Sequence, residues 1–302
     1  MRVFITGGSG FVGREIVSEL LRRNHSVTAL ARSSNAFSEE PGVTPVSGDI
    51  TDVEPWIRAL ENCDAVIHLV GIIREFPGKG ITFDKLHTEA TRNILRAARQ
   101  CGVQRYIQMS ANGTRENAVT DYHRTKWAAE ELVRSSGLDW TIFRPSLIFG
   151  PQDEFVNMLA TLVKRLPVVP VMGDGTYRMQ PVAVENVAVA FVSALERPET
   201  VGKTYHCCGP DRLSYNQLLD EIARTLNKAS GARKLHQPLC LMKPLVSLFE
   251  TFPLFPMTRD QLEMLLEENI CEDNDWAKDF PLQLTPFSCG IAGYLTPGKP
   301  AG

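Results

Sequence analysis

The chain has no cluster of positive charge, no cysteine or histidine spacing of the metal-binding kind, and no apolar run long enough to span a bilayer. Lys and Arg number 32 against 35 Asp and Glu, a formal net charge of -3. No basic field therefore points to nucleic acid. The seven cysteines are scattered, and only Cys207 and Cys208 adjoin. Without a C-x-x-C pair no zinc site is expected, and the set reads as reduced intracellular thiols, mostly core filler. The first strand begins almost at Met1, which leaves no room for a signal peptide, so the expected compartment is the cytoplasm. Internal repeats and low-complexity tracts are also missing. What is there is ordinary for a globular protein: 302 residues, 43% apolar and 22% charged, enough for one large domain or one plus a small second domain.

The informative stretch is Met1–Gly13, MRVFITGGSGFVG. Val3, Phe4 and Ile5 read as a strand. Phe11, Val12, Ile16, Val17, Leu20 and Leu21 follow at helical spacing. Between them the glycines fit Gly7-x-x-Gly10-x-x-Gly13 and also Gly8-x-Gly10-x-x-Gly13. Glycine at these places lets a pyrophosphate approach the backbone and lets helix pack closely on strand. Backbone N–H groups of Ser9, Gly10, Phe11 and Val12, at the start of the helix, would face the phosphates. Strand, glycine turn and helix together make this a dinucleotide-binding signature.

The alternation continues. Strands are expected at Val27–Ala31, Val43–Val46, Ala65–Val70, Arg105–Ser110 and Trp140–Phe143. Helices are expected at Thr51–Leu60, after the Gly71–Ile81 loop to about Gln100, and at Asp121–Ser135. That order predicts an α/β, Rossmann-type doubly wound parallel sheet. Residues 1–150 form the dinucleotide-binding core. Residues 151–302 complete the sheet near 180–210 and add a smaller, mainly helical C-terminal lobe. Ser214 and the Thr258-x-x-Gln261 capping box open two of its helices. Thr285-Pro286 starts a last one, with proline at the first helical position, and Gly298–Gly302 is expected to fray. The stripe Leu241–Pro256, with Met242, Leu245, Leu248, Phe252, Leu254 and Phe255, is expected to be lobe core, the alternative being a membrane- or partner-facing surface.

Four places carry candidate chemistry. Arg32 ends the second strand, where such folds select the ribose; a guanidinium followed by Ser33 and Ser34 suits a 2′-phosphate, so NADP is preferred over NAD. Asp49, with Ile50, either meets the adenine or caps the next helix. Leu69, Val70 and Gly71 end the fourth strand, where ligands of doubly wound sheets bind. Tyr122 and Lys126, four apart on one helix face, join a phenol to an ammonium that would lower its pKa. Such a pair can exchange a proton with a substrate hydroxyl or carbonyl beside a nicotinamide.

With these residues together the chain resembles the short-chain dehydrogenase/reductase superfamily, in its extended or atypical branch of NAD-dependent epimerases and dehydratases. The carrying residues are Thr6–Gly13, Gly48-Asp49, Val66–Leu69, Tyr122-x-x-x-Lys126 and Arg144-Pro145, extended by Asp174-Gly175, Gln180–Val182 and Glu185–Ala188. Within that branch the segment His87–Asn112 and the short Ser110–Tyr122 connection are similar to the nucleotide-binding accessory subunits of respiratory complex I and their bacterial relatives. The resemblance implies pyrophosphate on Gly7, Gly10 and Gly13, adenine at Asp49 and Ile50, and Tyr122 as acid–base. It also implies Lys126 on the ribose, Pro145 by the nicotinamide, and a homodimer surface on the helices around Phe83–Gln100 and Asp121–Ser135.

Two positions depart from the pattern. The Ser or Thr that polarises a substrate carbonyl falls on Ala111, whose methyl cannot donate a hydrogen bond; Ser110, one residue early, is taken with Tyr122 and Lys126 as a catalytic candidate. Loss of one such donor costs about two to three orders of magnitude in rate. His87 stands where many members carry asparagine, and reads as a satisfied helix-face histidine. Two functions follow. One is an oxidoreductase or epimerase/dehydratase-like enzyme on a small hydroxyl or carbonyl substrate. The other is an NADP(H)-holding structural or redox-sensing protein that docks on a protein partner in respiratory or quinone metabolism.

Overall fold

The first apolar run becomes β1, Arg2–Thr6, in which Val3, Phe4 and Ile5 are wholly buried. A computed structural model describes residues 1–37, 40–228, 231–250 and 257–296. They divide into two compact units.

The first unit, Met1–Pro145, Glu185–Cys207 and Asp275–Leu282, is built on one sheet. After β1 come α1 (Phe11–Arg22), β2 (Ser26–Ala31), β3 (Val43–Ser47), β4 (Ala65–His68) and α2 (Ala90–Gln100). Then follow β5 (Arg105–Met109), α3 (Asp121–Arg134), β6 (Asp139–Pro145), α4 (Val184–Leu195) and β7 (Lys203–Cys207). The seven strands lie in the order β7-β6-β5-β4-β1-β2-β3, and every neighbouring pair is parallel. The order reverses at β1, so β1 and β4 flank the switch point where such sheets bind ligands. β4, Ala-Val-Ile-His, is buried at all four residues, as a strand covered on both faces must be. Phe4, Trp56, Leu60, Val66, Ile94, Tyr106 and Ile142 meet in one of its apolar clusters.

One expected helix is missing. Thr51–Leu60 forms turns and only a 3-10 stretch at Ile57–Leu60. Pro55 has no N–H and its ring crowds the preceding turn, which breaks an α-helix there. Trp56 instead donates its indole N–H to the Asp49 carbonyl at 2.8 Å. Asp49 thus organises a local turn, its Oδ1 accepting from Thr51 N (2.8 Å) and Thr51 Oγ1 (2.7 Å). The long helix after Ile81 also differs, because Asp84–Glu89 is π-helical before α2 begins.

The second unit, Ser146–Val184, Cys208–Asn274 and Gln283–Gly302, is mainly helical. Helices Glu154–Arg165, Tyr215–Thr225 and Phe287–Leu295 contribute Val156, Leu159, Leu218, Leu219, Phe287 and Ile291 to its core. The expected capping box forms at Thr258 and Gln261, and the Ser214 cap is also a full capping box, with Gln217. Pro286 is the N-cap, with ψ 144°, so the last helix starts one residue later than expected.

Two expectations about this unit are corrected. Cys208 and Cys271 form a disulfide, with Cα atoms 6.0 Å apart. Of the other cysteines only Cys207 is buried, so the set is neither wholly reduced nor mostly core filler. The 63-residue separation left no local pattern to find. The Leu241–Pro256 stripe is not lobe core over its described part: in the helix Leu239–Phe249, Leu241, Leu245 and Leu248 are exposed and Val246 is buried. Phe252, Leu254 and Phe255, like Gly298–Gly302, lie outside the described residues. No helix among the described residues is long and apolar enough to cross a membrane.

Candidate functional site

The glycines at the switch point are there for space. Gly7 has φ +74°, and a Cβ on it would lie 3.1 Å from the Leu69 and Val70 backbone. A Cβ on Gly13 would lie 2.2 Å from the Gly7 carbonyl oxygen and 2.6 Å from Gly8 Cα. Gly10 caps α1 in extended conformation without a side-chain hydrogen bond, and the first turn carries no acid. Ser9 and Gly10 are exposed, Phe11 and Val12 half-buried. A bare helix N-terminus without competing carboxylates, on a turn that tolerates no side chain, fits a pyrophosphate. Beneath it the neighbouring strand ends are joined, Thr6 Oγ1 lying 2.6 Å from His68 Nδ1. His68 is fully buried, its Nε2 lacks a partner among the described residues, and burial pulls its pKa down to about 3, so the ring is neutral.

Helix α3 carries the proton-transfer candidates. Thr120 caps it, accepting from His123 N. Arg144 on β6 anchors it to the sheet through a two-pronged bond to the wholly buried Glu130 (2.8 and 2.6 Å). Lys126 is buried, and its ammonium reaches the turn after β4: a Cβ on Gly71 would stand 2.8 Å from Nζ. Desolvation lowers the Lys126 pKa to about 8, opposed by Glu130. Tyr122, half-buried, lies edge-on to Phe83 (5.7 Å), His87 (5.3 Å) and His123 (5.1 Å). Desolvation pushes its phenol up to about 12. Desolvation alone sets that direction, opposite to the lowering expected from Lys126.

The remaining candidates separate into two groups. Ser110 is buried and its hydroxyl donates to Thr114 Oγ1 at 3.3 Å. Ala111 is half-buried and Pro145, at the end of β6, is buried with its carbonyl accepting from Asn112 N at 2.9 Å. On the other flank Arg32 and Ser33 are exposed just beyond β2, Asp49 is exposed, and Ile50 is buried beneath it. Arg32 and Lys85 both lower the Asp49 pKa, after the larger contribution of its bond to Thr51. Phe83, Thr125 and Thr114 were not singled out in the sequence, although Thr125 lies inside the Tyr122–Lys126 motif. No group of three or more His, Cys, Asp or Glu able to hold a metal occurs among the described residues.

The model of the NAD dependent epimerase/dehydratase family matches residues 3–208. The chain belongs to that family. Among family relatives it is 30% identical over 290 residues to the mitochondrial NADH dehydrogenase [ubiquinone] 1 alpha subcomplex subunit 9 of Arabidopsis thaliana, covering 89% of this chain and 71% of that protein. It is 31% identical over 229 residues to a 3-beta-hydroxysteroid dehydrogenase of Mycolicibacterium neoaurum, covering 65% of this chain and 61% of that protein. Among solved structures, a UDP-glucose 4-epimerase of Thermotoga maritima shares the fold, with TM-score 0.77, 19% identity, and coverage of 98% of this chain and 97% of that one. Members of this family are NAD-dependent, and the glycine turn supplies the cradle such a cofactor needs.

Proposed function

We propose that the chain is an NADP(H)-dependent reductase of small carbonyl substrates. The carrying observation is that Lys126 closes on Gly71, in the turn after β4, while Tyr122 lies one turn earlier on the same helix. Gly7, Ser9, Gly10, Phe11, Val12 and Gly13 would hold the pyrophosphate, Asp49 and Ile50 the adenine end, and Arg32 with Ser33 a 2′-phosphate. Leu69, Val70, Gly71 and Pro145 would line the nicotinamide half. The cofactor, when bound, supplies the hydride.

The chain supplies the proton. With its pKa at about 12, Tyr122 keeps its proton at neutral pH. It is therefore set to donate to a carbonyl oxygen as the carbon accepts hydride, and the phenolate takes a hydroxyl proton in the reverse step. Lys126, one turn along, would stabilise the phenolate that remains. In a carbonyl panel with NADPH, Tyr122→Phe should lower turnover by about two to four orders of magnitude. An unchanged rate would remove Tyr122 from the chemistry.

A second reading has its own support. Ala111 offers no donor, the Ser110 hydroxyl is committed to Thr114, and a relative matched over 89% of this chain is a respiratory-complex subunit. On that reading the chain holds NADP(H) without turnover and docks on a protein partner; tight binding with no oxidation across the panel would favour it.

A further inference from the structure

His87 is the buried titratable group beside the proposed proton-transfer pair that the mechanism leaves without work. It lies in the π-helical stretch Asp84–Glu89 and is 1% exposed. Single π-turns redirect side chains and are frequent at functional sites. Here the ring is stacked on Phe83 at 5.4 Å and edge-on to Tyr122 at 5.3 Å.

Each of its two nitrogens has a partner on a different element. Nδ1 is 2.9 Å from Thr125 Oγ1, and Nε2 is 3.2 Å from both the N and O of Ile72. The Thr125 hydroxyl has one hydrogen, and the carbonyls of Asp121 (2.8 Å) and Tyr122 (3.1 Å) lie within its reach. With the Thr125 hydrogen on those carbonyls, Oγ1 turns a lone pair toward Nδ1 and the ring proton sits there; with that hydrogen on Nδ1, the ring proton sits on Nε2 and goes to the Ile72 carbonyl. In the first arrangement Nε2 accepts from the Ile72 N–H. The hydrogen bonds then run one way: Ile72 N–H to His87, His87 Nδ1–H to Thr125, Thr125 O–H to the first turn of α3. Burial and the nearby Lys126 ammonium pull the His87 pKa down to about 2, so the ring stays neutral and the chain of bonds does not change with ordinary pH. A Cβ on Gly71 would stand 2.8 Å from Lys126 Nζ and 3.5 Å from His87 Nε2, so both side chains converge on the turn after β4.

We infer that His87, as its Nδ1–H tautomer, is a positioning residue that clamps the Gly71–Ile72 turn to helix α3 and so fixes where Tyr122 and Lys126 meet the nicotinamide half of the cofactor. The role toward the cofactor rests on the dinucleotide reading above; the tautomer and the clamp do not.

Two measurements test it. Nitrogen-15 spectra of histidine-labelled protein should show His87 with a protonated Nδ1 and an unprotonated Nε2, without titration between about pH 5 and 9. A protonated Nε2, or titration near the ordinary histidine value, overturns the inference. Second, His87→Leu should weaken NADPH binding by about tenfold, the equivalent of one or two lost hydrogen bonds. Its affinity for adenosine 2′,5′-bisphosphate, which lacks the nicotinamide half, should stay unchanged. His87→Gln, which restores a partner for Ile72, should recover part of the loss. Equal loss for both ligands would mean general damage to the fold and overturn the positioning role, as would unchanged NADPH affinity. If the wild type binds neither ligand, the dinucleotide reading fails, and the nitrogen spectra alone decide the clamp.

Discussion

The Lys126 ammonium stands 2.8 Å from the point a Cβ on Gly71 would occupy. The contact is with the far end of a flexible side chain. A methyl there displaces the ammonium more readily than it moves backbone. Gly71→Ala should therefore cost less than about 1.5 kcal/mol in stability while weakening dinucleotide binding several-fold. Urea melts and NADPH titrations on the same variant check both halves. Unchanged binding would place Lys126 outside the cofactor site.

Burial of Lys126 makes stability depend on alkaline pH. Its folded pKa of about 8 lies below the ordinary 10.5. Between those values the unfolded chain binds more protons than the folded one, so this group makes stability rise with pH across that window. Below about 8 its penalty is constant. In denaturant melts from pH 7.5 to 10.5, wild type should gain on Lys126→Met; parallel curves would show that Lys126 is not desolvated.

Arg32 is exposed just past β2 and gives the cofactor preference its test. Arg32→Asp replaces a phosphate-binding cation with a hydroxyl-binding acid. The ratio of NADP to NAD affinity should fall by on the order of tenfold to a hundredfold. An unchanged ratio would remove Arg32 from the site.

The disulfide makes a prediction of its own. The chain leaves the first unit after Cys207 and returns at Asp275, and the bond joins Cys208 to Cys271 just inside both crossings. Arg212 to the Cys271 carbonyl (2.6 Å) and Asn274 to the Gly209 carbonyl (2.7 Å) hold the same segments. Replacing both cysteines by alanine should keep the native arrangement and lower stability by up to roughly 4 kcal/mol, the loop-closure value for a separation of this size. Equal denaturant midpoints for variant and wild type would show that the pair is not bonded in solution.

Local signals were legible and long-range ones were not. The glycine turn, the Ser214 cap, the Thr258–Gln261 capping box and the strand–helix alternation each depend on a few neighbouring residues, and they stand in the structure. Thr51–Leu60 looked helical by periodicity, but Pro55 and the Trp56 indole decide it otherwise. The Leu241, Leu245 and Leu248 stripe has helical spacing, yet spacing does not say which face is covered. The bond from the Ser110 hydroxyl to Thr114 Oγ1 comes from the fold, and no local spacing announces it. The Tyr122 pKa turns on desolvation where Phe83 and His87, from another helix, pack against the ring. No four-residue motif carries that information.

The central claim is that the opening glycine turn binds a dinucleotide, and Gly13 tests it most directly. A Cβ there would lie 2.2 Å from the Gly7 carbonyl oxygen, which cannot give way without opening the turn. NADPH fluorescence should titrate to saturation at one site per wild-type chain. Gly13→Ala, shown by circular dichroism to keep its fold, should abolish that signal. No saturable binding by wild type, or equal affinity in the variant, would contradict the account.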